Sequence, residues 1–233
     1  MKKRVISKFL VFVLLMAGLA QADSSSYIRT EAERDALTPQ QVLQSFKDGN
    51  ERFLSGTQRE RDFRKEQMAT KGGQHPASVL LSCIDSRAPA EVVFDKGIGE
   101  MFNARLAGNV ANPDIVGSME FACAAAGAKL ILVVGHSSCG AVHGAIDNVE
   151  LGNLTGLLDR IHPAVVATKE EHSGPYESSN TAFAEAVTET NVEMTVEKIR
   201  RLSPLLREME ENGEIMIVGA IYNLDTGKVD FLK

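Results

Sequence analysis

No stretch of this 233-residue chain is apolar for long enough to cross a bilayer. The longest apolar run, Phe9 to Ala20, is about a dozen residues where a span needs roughly 20, and no charged stop-transfer cluster follows it. Lys2, Lys3, Arg4 and Lys8 precede the run, and Ala20-Gln21-Ala22 ends it as a small-residue cleavage site. Residues 1–22 are therefore expected to be a secretory signal peptide cut after Ala22, with the mature chain periplasmic or secreted and not stably inserted in membrane. Internal repeats and low-complexity tracts are missing as well. With 44% hydrophobic residues the chain is not composed for disorder, and one domain is the expectation. Positive charge is also short: 25 Lys and Arg, less the four in the signal, face 31 Asp and Glu, a mature net charge of −10. That balance disfavours nucleic acid and anionic lipid as partners.

Cysteine is scarce, with only three in the chain. In an exported protein that number invites a search for one disulfide and leaves one thiol over. Cys83 and Cys139 instead stand where metal ligands would stand, and Cys123 lies in the apolar stretch Phe121-Ala122-Cys123-Ala124, the setting of a buried structural thiol.

What is present reads as an α/β chain. After a polar leader, residues 23–37, Thr38 and Pro39 supply an N-cap and a first-turn proline, and Val42, Leu43, Phe46 and Phe53 recur at helical spacing, which predicts a helix over 39–54. Gln58 to Thr70 is charged and partly helical. This N-terminal helical arm has no strand of its own to cover and is expected to pack on a second subunit. Short continuous apolar runs at Ala77 to Cys83, Met101 to Arg105, Leu130 to Gly135 and Ile215 to Ile221 read as buried strands. Helical patterns lie near 114–126, 139–148, 154–167 and 180–212, the last interrupted at Pro204, with Gly127 and Gly213 as stops. Alternating strands and helices predict a mainly parallel central sheet with flanking helices. The turn residues 222–228 fold Val229 to Leu232 back as an antiparallel edge strand.

Two motifs stand at strand ends, where ligand sites of open parallel sheets assemble: Cys83-Ile84-Asp85-Ser86-Arg87 and Gly135-His136-Ser137-Ser138-Cys139-Gly140. Two thiolates and an imidazole suit a tetrahedral Zn²⁺ with one position to spare, and soft thiolates argue against magnesium or calcium. Asp85 is near enough in sequence to fill that position, and Arg87 near enough to draw the carboxylate off in a bidentate pair. His143, four residues after Cys139 on the same helix face, reads as a surface histidine, and His75, His162 and His172 read as surface or structural residues.

CxDSR followed some fifty residues later by HxxC resembles the metal signature of the β-class carbonic anhydrases. The likeness runs from about Thr38 to Lys233, taken as the catalytic domain, and includes Gln74-His75-Pro76, Gly99-Glu100-Met101-Phe102, Glu120-Phe121 and Gly219-Ala220-Ile221-Tyr222. It implies one zinc per subunit on Cys83, His136 and Cys139, with Asp85 alternating between the metal and Arg87. It also implies a pocket for carbon dioxide and bicarbonate lined by Gln74, Phe102, Phe121 and Gly140, and a homodimer or dimer of dimers. Reversible hydration of carbon dioxide is the implied activity; the rivals are hydrolysis of a sulfur analogue such as carbon disulfide, and a non-catalytic zinc site.

Three positions depart from the family pattern. Phe121 replaces a frequent tyrosine, and Leu106 follows Arg105 where many members have asparagine. Leu80 stands where members inhibited by bicarbonate away from the metal carry tryptophan. That inhibitory pocket is expected to be incomplete although Arg105 matches its arginine.

Overall fold

The computed structural model describes residues 28–232, so the expected signal peptide and the first residues of the polar leader lie outside the described residues. Five strands form one sheet: β1 (Ser78–Ser82), β2 (Phe102–Arg105), β3 (Leu130–His136), β4 (Met216–Tyr222) and β5 (Val229–Phe231). Their spatial order is β2-β1-β3-β4-β5; the first four run parallel and β5 pairs antiparallel with β4. Every residue of β1 and β3 is buried, the reason these strands read as continuous apolar runs.

The helices around the sheet are α1 (Glu31–Asp35), α2 (Pro39–Ser55), α3 (Phe63–Thr70), α4 (Ala90–Val93), α5 (Pro113–Glu120), α6 (Gly140–Ile146), α7 (Gly152–Leu158), α8 (His162–Glu171), α9 (Thr181–Leu202) and α10 (Pro204–Glu211). Alternation along the strands assigns them to faces. Odd-numbered Val79, Leu81, Ile131, Val133 and Ile217 pack with Val116 and Met119 of α5, Cys123 of the π turn behind it, and Val192 and Ile199 of α9. Even-numbered Leu80, Leu130, Leu132 and Val134 pack with Val42 and Phe46 of α2 and with Ala90 and Val93 of α4.

That second face corrects the expectation for α2, whose apolar stripe covers the sheet of its own chain. The helix starts as anticipated, with Thr38 and Gln41 forming a capping box and Pro39 in the first turn, and it ends at Gly56 in the left-handed conformation, φ 68°. Gly49 of this helix lies against the Phe94 carbonyl, where a Cβ would come within 2.0 Å of the oxygen. The charged 58–70 segment is fixed by an ion cluster in which Arg61 reaches Glu66, Asp95 and Glu100, all three carboxylates buried.

Other boundaries differ for local reasons. The leader holds α1, capped by Thr30 and Glu33 in a capping box. The helix predicted over 154–167 is two, α7 and α8, separated at 159–161 ahead of Pro163. The long 180–212 pattern breaks where Ser203, at φ −123°, leaves the helix and caps Leu206 ahead of Pro204.

Candidate metal centre

β1 ends at Ser82 and β3 at His136, so Cys83 and His136 leave the sheet side by side at its carboxyl edge. Cys139 follows as the N-cap of α6, turned inward by Ser138 at φ 53°, a left-handed non-glycine. All three side chains are buried, and their ligating atoms lie within 4.8 Å of one another. The two sulfurs are 4.0 Å apart. Two sulfurs each about 2.3 Å from a tetrahedral zinc would be separated by about 3.8 Å, so the spacing fits that ion. His136 adds an independent sign. Its Nδ1 meets the Ser137 carbonyl at 2.9 Å and carries the proton, leaving Nε2 as a buried lone pair with no hydrogen-bond partner among the described residues.

The sulfurs are electronically prepared. A hydrogen bond from Cys139 holds the Cys83 thiol down at about 4 against the opposing effect of burial, helped by the neighbouring His136 ring and then by the backbone N–H of Gly108 at 3.4 Å. The same bond, with burial, pushes Cys139 up. Cys123, by contrast, is a buried thiol raised by desolvation to about 12, in keeping with a structural role.

Asp85 turns toward Arg87. Arg87 donates Nε to Oδ1 at 3.0 Å, Nη2 to Oδ2 at 2.8 Å and its backbone N–H to Oδ1 at 2.9 Å, and these bonds hold the carboxyl down at about 2. Nη2 also reaches the Ser138 carbonyl at 3.3 Å, linking the pair to the turn that carries Cys139. Oδ2 remains 3.8 Å from His136 Nε2, at the edge of the donor set.

Arg105 has a place that sequence reasoning did not give it. It donates Nε to the Cys83 carbonyl at 2.9 Å and Nη2 to the Asp85 carbonyl at 2.6 Å, bracing the metal loop from the neighbouring strand. Leu80 is fully buried in the sheet core.

A cavity of about 600 Å³ opens over Cys83 and Asp85, lined also by Gly140 and by His143 and Asp147, one and two turns further along the face of α6. His143 is half-buried and belongs to this cavity wall. Its four-residue offset from Cys139 was the available signal. Gln74, Phe102 and Phe121 are absent from that wall. Phe102 pairs with Val79 at the opposite end of β1, about 13 Å of strand from Cys83, and stacks edge-on against an exposed Phe121 with ring centroids 6.0 Å apart. Gln74 precedes β1 at that same end and is exposed.

Two buried thiols and an imidazole brought together at the carboxyl edge of a parallel sheet fit the donor set of a metalloenzyme of the Cys₂His type. Residues 78–229 match the family model for carbonic anhydrase, and the chain belongs to that family, in its β class. It is similar to carbonic anhydrase 2 of Mycobacterium tuberculosis, 32% identical over 196 residues that span 82% of this chain and 91% of that protein. Among solved structures it is similar to the β-carbonic anhydrase CafA of Aspergillus fumigatus, with 27% identity and a TM-score of 0.64 over 73% of this chain and 82% of that one. It also shares the fold of a tetrameric β-carbonic anhydrase from Sordaria macrospora, at 24% identity and a TM-score of 0.64 over 72% and 87% of the two chains. The protein is a zinc enzyme that reversibly hydrates carbon dioxide to bicarbonate and a proton. Nothing in these relatives favours carbon disulfide hydrolysis or a non-catalytic zinc site.

Proposed function

We propose that this carbonic anhydrase works in an open state, with Asp85 withdrawn onto Arg87, and that its substrate pocket is completed by a second copy of the chain. The observation that carries the first part is the three-bond clasp of Arg87 on Asp85, which removes the carboxylate as a fourth ligand. Zinc held by Cys83, His136 and Cys139 supplies Lewis-acid chemistry, lowering the pKa of water from 15.7 to about 7. Asp85 Oδ2, 3.8 Å from His136 Nε2, is positioned to accept a hydrogen bond from a water at the site and to orient its lone pair toward carbon dioxide. Arg87 keeps that carboxylate ionised and prevents it from acting as a ligand. Arg87→Ala should retain zinc by metal analysis yet lose at least tenfold in stopped-flow hydration, about 1.4 kcal/mol of barrier. Turnover within about twofold of the parent would sink the switch.

The second part rests on the distance between the two ends of the sheet. Gln74, Phe102 and Phe121 cannot touch a molecule over Cys83 of their own chain, yet they present an exposed aromatic and a free amide beside β2, an open sheet edge. A second copy bringing its Gln74 amide over the metal could polarise a carbon dioxide oxygen, while the two Phe rings exclude water. Mixing Cys83→Ala chains with Gln74→Ala chains tests this. Random pairing restores one intact site in half of the dimers, so roughly a quarter of parental activity should return. No recovery above the sum of the separate variants would refute the shared site.

Export is the third part, supported by the basic start, the short apolar run and the Ala20-Gln21-Ala22 site. Amino-terminal sequencing of the periplasmic protein should begin at Asp23; an intact Met1 chain confined to the cytoplasm would refute it.

A further inference from the structure

We propose that a second site, separate from the metal-site cavity, binds a small oxyanion of the phosphate or sulfate type in the cavity between the turn after α7 and the last turns of α9. The cavity measures about 400 Å³, and Arg160, Lys198 and Arg201 all line it. Among the described residues none of these three has an ion-pair partner, although the chain as a whole is rich in acid. Glu197, one turn before Arg201, would be its natural partner. Its carboxylate is instead taken by Arg200, which also holds Glu210. Glu193 is the other acidic residue of the wall and stands, like Glu197, on the ridge that this cavity shares with its neighbour, so three cations face two carboxylates, one of them held by Arg200.

The helix dipole accounts for cations in the last turns of α9, where carbonyls are unpaired. It does not account for Arg160, which comes from the turn after α7 and converges on the same space. Three cations outnumber the carboxylates around them, and the part-buried Lys198 ammonium registers the excess: burial lowers its pKa first, and the exposed Arg160 and Arg201 lower it further. An oxyanion in the cavity would relieve all three and could accept guanidinium hydrogen bonds two at a time. The site also adjoins the catalytic layer. Asn191 in its wall donates Nδ2 to the Gly108 carbonyl at 2.9 Å, and the Gly108 N–H points at Cys83 Sγ.

The test is calorimetric titration of the zinc-loaded full-length mature protein with inorganic phosphate, then with sulfate, at constant ionic strength set by chloride. One phosphate per chain should bind saturably, sulfate should compete and chloride should not. The Lys198→Gln, Arg201→Gln double variant and, separately, Arg160→Gln should each weaken binding by about tenfold or more with unchanged zinc content and circular dichroism. Equal binding in these variants would assign the phosphate to the metal or to another surface and overturn the proposal. A signal that follows ionic strength alone would overturn it too.

Discussion

Arg105 offers the sharpest test of how the metal loop is held. Its guanidinium bridges the carbonyls of Cys83 and Asp85, so replacing it with glutamine removes two charge-assisted hydrogen bonds from the residues that present a ligand and the gate. Such bonds contribute about 1.5–3 kcal/mol each when buried, and the half-buried position of Arg105 reduces the pair to about 1.5–3 kcal/mol together. That loss falls on zinc binding, because the freed loop must be reordered each time the metal is captured. The expected result is a zinc dissociation constant raised roughly ten- to hundredfold, the range typical of lost outer partners of a metal ligand. Arg105→Lys should fall between, since a single ammonium cannot fork to two carbonyls as a guanidinium does. Competition against a chromophoric zinc chelator measures the constant, with a thermal melt to confirm the fold. A zinc affinity within about twofold of the parent in Arg105→Gln would show that the two bonds are incidental to the site.

Alanine at Cys83, His136 or Cys139 should abolish zinc binding and activity together; full zinc occupancy in any of the three would overturn the ligand set. Because Leu80 is sealed in the core and the Arg105 Nε and Nη2 groups hold carbonyls, turnover should follow a single protonation near about pH 7 at every bicarbonate concentration. Sigmoidal inhibition that deepens with bicarbonate would mean that another residue does the work of the missing tryptophan. Phe46→Ala, which empties a fully buried position stacked on Phe94 at 5.0 Å, should lower stability by about 3–5 kcal/mol in urea titrations, and a loss under about 1 kcal/mol would contradict the packing of α2 on its own sheet.

Much of this architecture was legible in the sequence because local signals agreed with the global fold. Residues 130–135 are apolar without alternation because β3 is central and buried on both faces, and that run predicted its own place. The meeting of Cys83, His136 and Cys139 at one edge of the sheet, with Asp85 and Arg87 paired beside them, was readable because strand ends gather ligands. The rest depended on register, which spacing along one chain does not encode. That Phe102 lies opposite Val79 while Arg105 lies opposite Ser82 decides that the phenylalanine is far from the metal and the arginine beside it. α1 went unread although Thr30 and Glu33 form a capping box, because the surrounding leader is polar. The destination of α2 was missed because an amphipathic stripe states that a helix is covered and not by what.

The separation between the two ends of the sheet also bears on how the enzyme responds to dilution. Half of the proposed pocket travels with one chain's β1 carboxyl end and half with another chain's β2 amino end. Catalytic output per chain then depends on the chain's own concentration: well above the dissociation constant of the pair it is constant, and well below it, it falls in proportion to protein present. A shared site of this kind makes assembly the last step of activation, so that a lone chain can hold zinc and still hydrate carbon dioxide poorly until it meets its twin.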